Sequence, residues 1–71
     1  MQRTHVSSSN IASIGYDATT HVLEVEFNDG SVYQYSGVPK SVYRELMSAG
    51  SHGSYFDSYV KKSGYSYRQV R

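Results

Sequence analysis

The stretch 27-FNDGSVYQY-35 joins a turn signal to two tyrosines spaced two apart, and the fold depends on how that turn closes. If Asp29 and Gly30 form a two-residue loop, Phe27 lies opposite Val32, and Glu26 and Glu24 lie opposite Tyr33 and Tyr35. If Asn28, Asp29 and Gly30 form a three-residue loop with Gly30 in the left-handed region, Phe27 pairs with Ser31, Val25 with Tyr33 and Leu23 with Tyr35. A slip of one residue moves every side chain to the other face, so the register that builds a continuous apolar face is selected. The second register does this, gathering Leu23, Val25, Phe27, Tyr33 and Tyr35. It places the two tyrosines at the edge of a core rather than on an open platform.

Upstream, Ile14 and Tyr16 alternate as a strand, Asp17 to Thr20 supply a turn, and Leu23, Val25 and Phe27 alternate against Val22, Glu24 and Glu26. Residues 1–9 are polar, serine-rich and without period, and read as a flexible leader to a single domain over 10–71. Downstream of Gly37 the period changes. Pro39 suits the start of a helix, Val42, Leu46 and Ala49 share a stripe, and Gly50 reads as a stop in the left-handed conformation. Ser51 to Ser54 reads as a linker whose Ser54 caps a second helix, with Asp57 in a capping-box position and Phe56, Tyr59 and Val60 as its apolar stripe. That helix frays near Lys62-Ser63-Gly64, and Tyr65 to Val70 alternate like a short strand. The expected fold is α+β: a three-stranded antiparallel meander, extendable by a fourth strand near the C-terminus, with two short helices packed on one face.

A chain of 71 residues supports one domain of modest stability. It has no cysteine, which excludes a disulfide scaffold and thiolate metal sites and fits a reducing cytoplasm. No apolar run is long enough to span a bilayer. The net charge of +1 hides an asymmetry: the part up to Pro39 carries −3 and the remainder +4. Four of the cations, Lys61, Lys62, Arg68 and Arg71, fall in the closing 61-KKSGYSYRQVR-71. Such a bias marks either an anionic partner or a solvated basic tail.

The motifs "SSNIASIGYD", "LEVEFNDGSVYQYSGVP", "VYREL" and "SAGSHGSYF", with the closing tyrosine-rich stretch, resemble a small bacterial module, the KTSC domain. The resemblance covers nearly the whole chain from Ser8, and the family's central Tyr-x-Tyr falls on Tyr33 and Tyr35. That domain also stands at the C-terminus of some lysyl-tRNA synthetases, which implies a role in RNA binding.

The residues themselves point away from catalysis. His5, His21 and His52 have no metal-ligand spacing, and no phosphate loop or paired acid site appears. Ser51, His52 and Asp57 lie close in sequence, but a triad is defined by its geometry in space. Gly53 and the free amides at the start of the second helix read either as a phosphate cradle or as an ordinary turn between helices. We therefore expect no enzyme, no metal and no cofactor. Cations neutralise phosphate and flat rings stack on unpaired bases. The interleaved Lys61, Lys62, Tyr65, Tyr67, Arg68 and Arg71 supply both, extended by Tyr33 and Tyr35, for single-stranded or tRNA-like RNA. The alternative is docking on a larger protein, whose interfaces also favour tyrosine.

Overall fold

A computed structural model describes residues 1–71. Five strands form one antiparallel sheet in sequence order: β1 (Arg3–His5), β2 (Ile11–Asp17), β3 (Val22–Phe27), β4 (Val32–Ser36) and β5 (Ser66–Gln69). Between β4 and β5 lie α1 (Lys40–Ser48), α2 (His52–Tyr59) and a 3-10 turn at Lys61–Ser63. The α+β class holds, and the expected three or four strands become five.

The deciding turn closes through three residues. Val25 pairs with Tyr33 and Leu23 with Tyr35. The Phe27 amide donates to the Ser31 carbonyl at 2.9 Å, and Gly30 takes φ +90°, a conformation that would strain a residue with a Cβ. One sheet face consequently carries the apolar residues. Ile11, Ile14, Leu23, Val25 and Tyr35 are buried there against Val38, Leu46 of α1, Phe56 of α2 and Val60. A register shift between Ile11 and Ser13 makes Ala12 an extra residue, so that Ile11 and Ile14, three apart, both reach this face.

The segment read as a flexible leader contains β1, which pairs with β2 through Arg3 and Gly15, Thr4 and Ile14, and His5 and Ser13. Two features draw it in. A Cβ on Gly15 would stand 2.5 Å from the Gln2 carbonyl oxygen, so only glycine admits the strand here. Arg3, meanwhile, reaches across β2 to pair with Glu24.

The helices differ from expectation at their ends. α1 is capped by Pro39 and stops at extended Ala49, and Gly50 is not left-handed. α2 starts at His52, capped by Ser51, whose hydroxyl accepts from the Ser54 amide at 3.2 Å. The cap is thus Ser51 rather than Ser54, and the expected linker is the first turn of the helix. Phe56 and Val60 are buried as expected, but Tyr59 turns outward and is 57% exposed. Gly64, at φ +82°, ends the 3-10 turn in the left-handed region.

Candidate nucleic-acid interface

The antiparallel register of β4 and β5 sets Tyr67 opposite Tyr35 and Gln69 opposite Tyr33. Alternation then puts Tyr33, Tyr35 and Tyr67 on the helix side of the sheet. Their rings form a ladder: Tyr35 and Tyr67 lie 5.4 Å apart with planes 29° apart, and Tyr33 stands 6.1 Å from Tyr67. Phe56 meets Tyr35 edge-on at 5.4 Å and Phe27 at 5.5 Å, joining the ladder to α2. Such offset and edge contacts are the arrangements aromatic pairs favour. The ladder grades from inside to outside. Tyr35 is 5% exposed, Tyr33 is half-buried and Tyr67 is 64% exposed. Burial pushes the Tyr35 hydroxyl above the ordinary tyrosine range, and the neighbouring Tyr67 and Tyr33 add to the shift.

α2 does not cover the outer part of this ladder, which leaves an open cleft of about 710 Å³ between the sheet and the helix. Tyr33, Tyr35, Tyr67, Phe27 and Phe56 line it, with Lys61, Asp29, Asp57 and Asn10 among the polar groups. Phe27, Phe56, Asn10 and Asp29 carried no site signal in the sequence, and Asp57 stood out there only beside Ser51 and His52 and as a capping residue. The phenylalanines pass for core, and Asp29 passes for turn chemistry. Only the small residues of "SAGSHGSYF" hinted at the close approach: a Cβ on Gly53 would overlap Asn10 Oδ1, so glycine there lets the Asn10 side chain lie against α2. This is the structural use of Gly53, and His52 is occupied likewise, its Nδ1 standing 2.8 Å from the Leu46 carbonyl oxygen of α1.

The structure divides the eight residues read as a nucleic-acid surface. Tyr33, Tyr35, Tyr67 and Lys61 come together in the cleft. Lys62 lies beside it, its Nζ 3.2 Å from Asp57, both side chains exposed. Tyr65 is half-buried against the core. Arg68 and Arg71 leave for the opposite, uncovered face. Arg68 donates to Gln34 Oε1 at 3.2 Å, and Arg71 donates to Glu26 at 2.9 Å and to the Gly30 carbonyl at 3.2 Å. Simple alternation would put Arg68 and Arg71 on opposite faces. A bulge prevents it: the amides of Val70 and Arg71 both donate to the Val32 carbonyl, so two residues oppose one.

That uncovered face is a hydrogen-bonded polar layer. Arg3 Nε donates to Ser13 Oγ at 2.9 Å, Ser13 Oγ donates to Glu26 at 2.8 Å, and Gln34 Nε2 donates to Glu24 at 2.8 Å. Burial acts to raise the Glu24 carboxyl, but the bonds from Gln34 and Arg3 outweigh it and hold the group below its ordinary value. Glu26 is likewise lowered, chiefly by the Ser13 hydroxyl.

The KTSC domain model matches residues 7–70. The chain belongs to the KTSC domain family. The crystal structure of a KTSC domain protein from Yersinia pestis superposes with a TM-score of 0.90 at 44% identity, covering 99% of this chain and 97% of that one. An uncharacterised protein of Stutzerimonas stutzeri is 39% identical over 99% of both chains. A lysine–tRNA ligase of Trichormus variabilis is 42% identical over 62 residues, which are 87% of this chain and 11% of the ligase. The same fold unit is thus found on its own and within a much longer enzyme. No helix is long and apolar enough to cross a membrane.

Proposed function

We propose that this KTSC domain is a cytoplasmic, non-catalytic binding module that holds one or two unpaired nucleotides of RNA, tRNA-like elements included, in the aromatic cleft. The observation that carries the reading is the graded ladder. Tyr35 anchors Tyr67 from below, while Tyr67 offers an open ring face beside the half-buried Tyr33. A ring held from one side and free on the other is what an unstacked base needs. Kinship with a lysine–tRNA ligase supports an RNA partner.

The charges shape the reading. Lys61 and Lys62 stand at the α2 side to meet phosphate, whereas Asp29 and Asp57 repel phosphate from the cleft. Few phosphates are therefore neutralised, and the dependence of log K on log salt has a slope of only about −1 to −2. Fluorescence anisotropy with a labelled single strand in low salt tests this. Lys61→Glu with Lys62→Glu should weaken binding of all sequences alike, and Tyr67→Ala should cost about 1–3 kcal/mol. Arg68→Glu, on the other face, should change little. Absence of binding at high micromolar protein, or binding indifferent to both cleft changes, turns the assignment to docking on a protein partner. The two carboxylates beside the exposed ring favour that second reading, and a tagged pull-down with and without nuclease separates the two.

A further inference from the structure

The charges of the cleft are ordered along its length. The Asn28 amide donates to the Asn10 carbonyl at 2.9 Å, and the Asn10 side chain lies against Gly53, so the start of α2 stands by the β3–β4 turn that carries Asp29. Lys61 comes two helical turns after Gly53, about 12 Å along the axis, where the 3-10 turn leads into β5. The aromatic floor lies between these ends. Tyr35 and Tyr67 oppose each other, and Tyr33 is two residues nearer the turn, edge-on to Phe27 at 5.8 Å.

The charge at each end is left over. Asp57, midway along the cleft, pairs with Lys62 and not with Lys61. Asp29 Oδ1 accepts from the amide and hydroxyl of Ser31 at 3.0 and 2.7 Å, which fixes the carboxylate without neutralising it. Arg71, which donates to the Gly30 carbonyl of the same turn, lies on the other face and is paired with Glu26.

A nucleotide inside a strand has phosphate on both sides, and the one on the Asp29 side meets a like charge. A terminal nucleotide has phosphate on one side only, so a cleft with a cation at one end and a carboxylate at the other fits the end of a strand. The two ends of RNA differ in what they offer an acceptor. The 5′ end has a single hydroxyl, whereas the 3′ end has a vicinal 2′,3′-diol, two O–H donors for a group that only accepts. Acidic side chains hold ribose hydroxyls in this way in dinucleotide sites.

Resting on the RNA reading above, we propose that the cleft receives the 3′ end of a single-stranded RNA: the last phosphates meet Lys61, the last bases lie along Tyr67 and Tyr33, and the strand stops with its diol at Asp29.

The test uses the 71-residue chain and a 5′-labelled pentauridylate, displaced by unlabelled strands and read by anisotropy. A strand carrying a 3′-phosphate should compete about tenfold more weakly than the 3′-hydroxyl strand, and one ending in a 2′,3′-dideoxynucleoside about threefold more weakly. A 5′-phosphate should cost nothing. Asp29→Asn, which keeps an acceptor for Ser31, should bring the 3′-phosphate strand level with the hydroxyl strand. Circular dichroism establishes that this variant is folded, and the comparison of strands on the unaltered protein holds whether it folds or not. A strand that loses nothing on gaining a 3′-phosphate or on losing its diol, a 5′-phosphate that weakens binding as much, or a 3′-phosphate penalty that persists in Asp29→Asn overturns end recognition and leaves the RNA reading standing. No binding of any strand overturns both.

Discussion

On β3, Leu23 and Val25 point into the helices while Glu24 and Glu26, their immediate neighbours in sequence, point to the uncovered side. All but Glu26 are buried in the ordinary sense, and Glu24 is only 6% exposed. The two faces nevertheless hold together differently. The helix face is stabilised by apolar area removed from water, a non-directional gain that tolerates repacking. The polar face depends on partners: Glu24 is acceptable there because Arg3 and Gln34 satisfy it, and one missing donor leaves a shielded charge exposed to its desolvation cost. A small sheet covered on one side only thus has one face secured by area and the other by a chain of hydrogen bonds running from β1 to β5.

The sharpest contrast comes from truncating the ladder. Tyr35→Ala should cost about 3–5 kcal/mol, because the ring is buried and braced by Phe56, whereas Tyr33→Ala, half-buried, should cost less than half of that. Chemical denaturation of both variants measures the difference, and equal losses would show that the ladder is not graded. On the polar face, Arg3→Met keeps the stem but removes the donors to Glu24 and Ser13. A loss of about 1–3 kcal/mol should follow, with loosened pairing of β1 visible by amide exchange. An unchanged stability would mean that solvent satisfies Glu24 without Arg3.

How legible these faces were depends on where the chain obeys its period. The β3–β4 turn was legible because only the three-residue loop gathers five apolar side chains on one face. β1 was not, because Arg-Thr-His has no apolar alternation, and what holds it is a carboxylate twenty-one positions away and the missing side chain of Gly15. Ile11 escaped because the bulge at Ala12 breaks the count of two. The same physics split the predicted site. A run such as Tyr67-Arg68-Gln69 reads as one cationic, aromatic segment, yet a strand sends its neighbours to opposite faces, and the bulge at Val70 and Arg71 carries the second arginine away with the first.

Acid offers a subtler probe of the polar face. Glu24 and Glu26 have folded-state values below their ordinary ones, so their contribution is fully present above the usual glutamate range and is lost as pH falls through the lower folded values. The melting temperature should therefore drop between about pH 5 and pH 3, and Glu24→Gln should flatten that drop. A variant with the same acid limb as the parent would place the effect on other carboxylates, Asp17 and Asp29 being held low by turn amides and the Ser31 hydroxyl. Smallest of all should be Lys62→Ala, which breaks an exposed pair with Asp57 and should shift stability by about 0.5 kcal/mol or less, marking that lysine as available to a ligand.

Four of the five strands follow one another through short connections, but both helices intervene before β5 joins β4. Closing that long segment costs more chain entropy than any hairpin in the sheet, and β5 returns little for it, since all four of its residues are exposed. Pairing of β5 is therefore expected late in folding and first to open in the native state. Because β5 carries Tyr67, the cleft is complete only while this edge is zipped, and any partner that stacks on Tyr67 closes it further. Recognition at the ladder and the last step of folding are then coupled through a single strand.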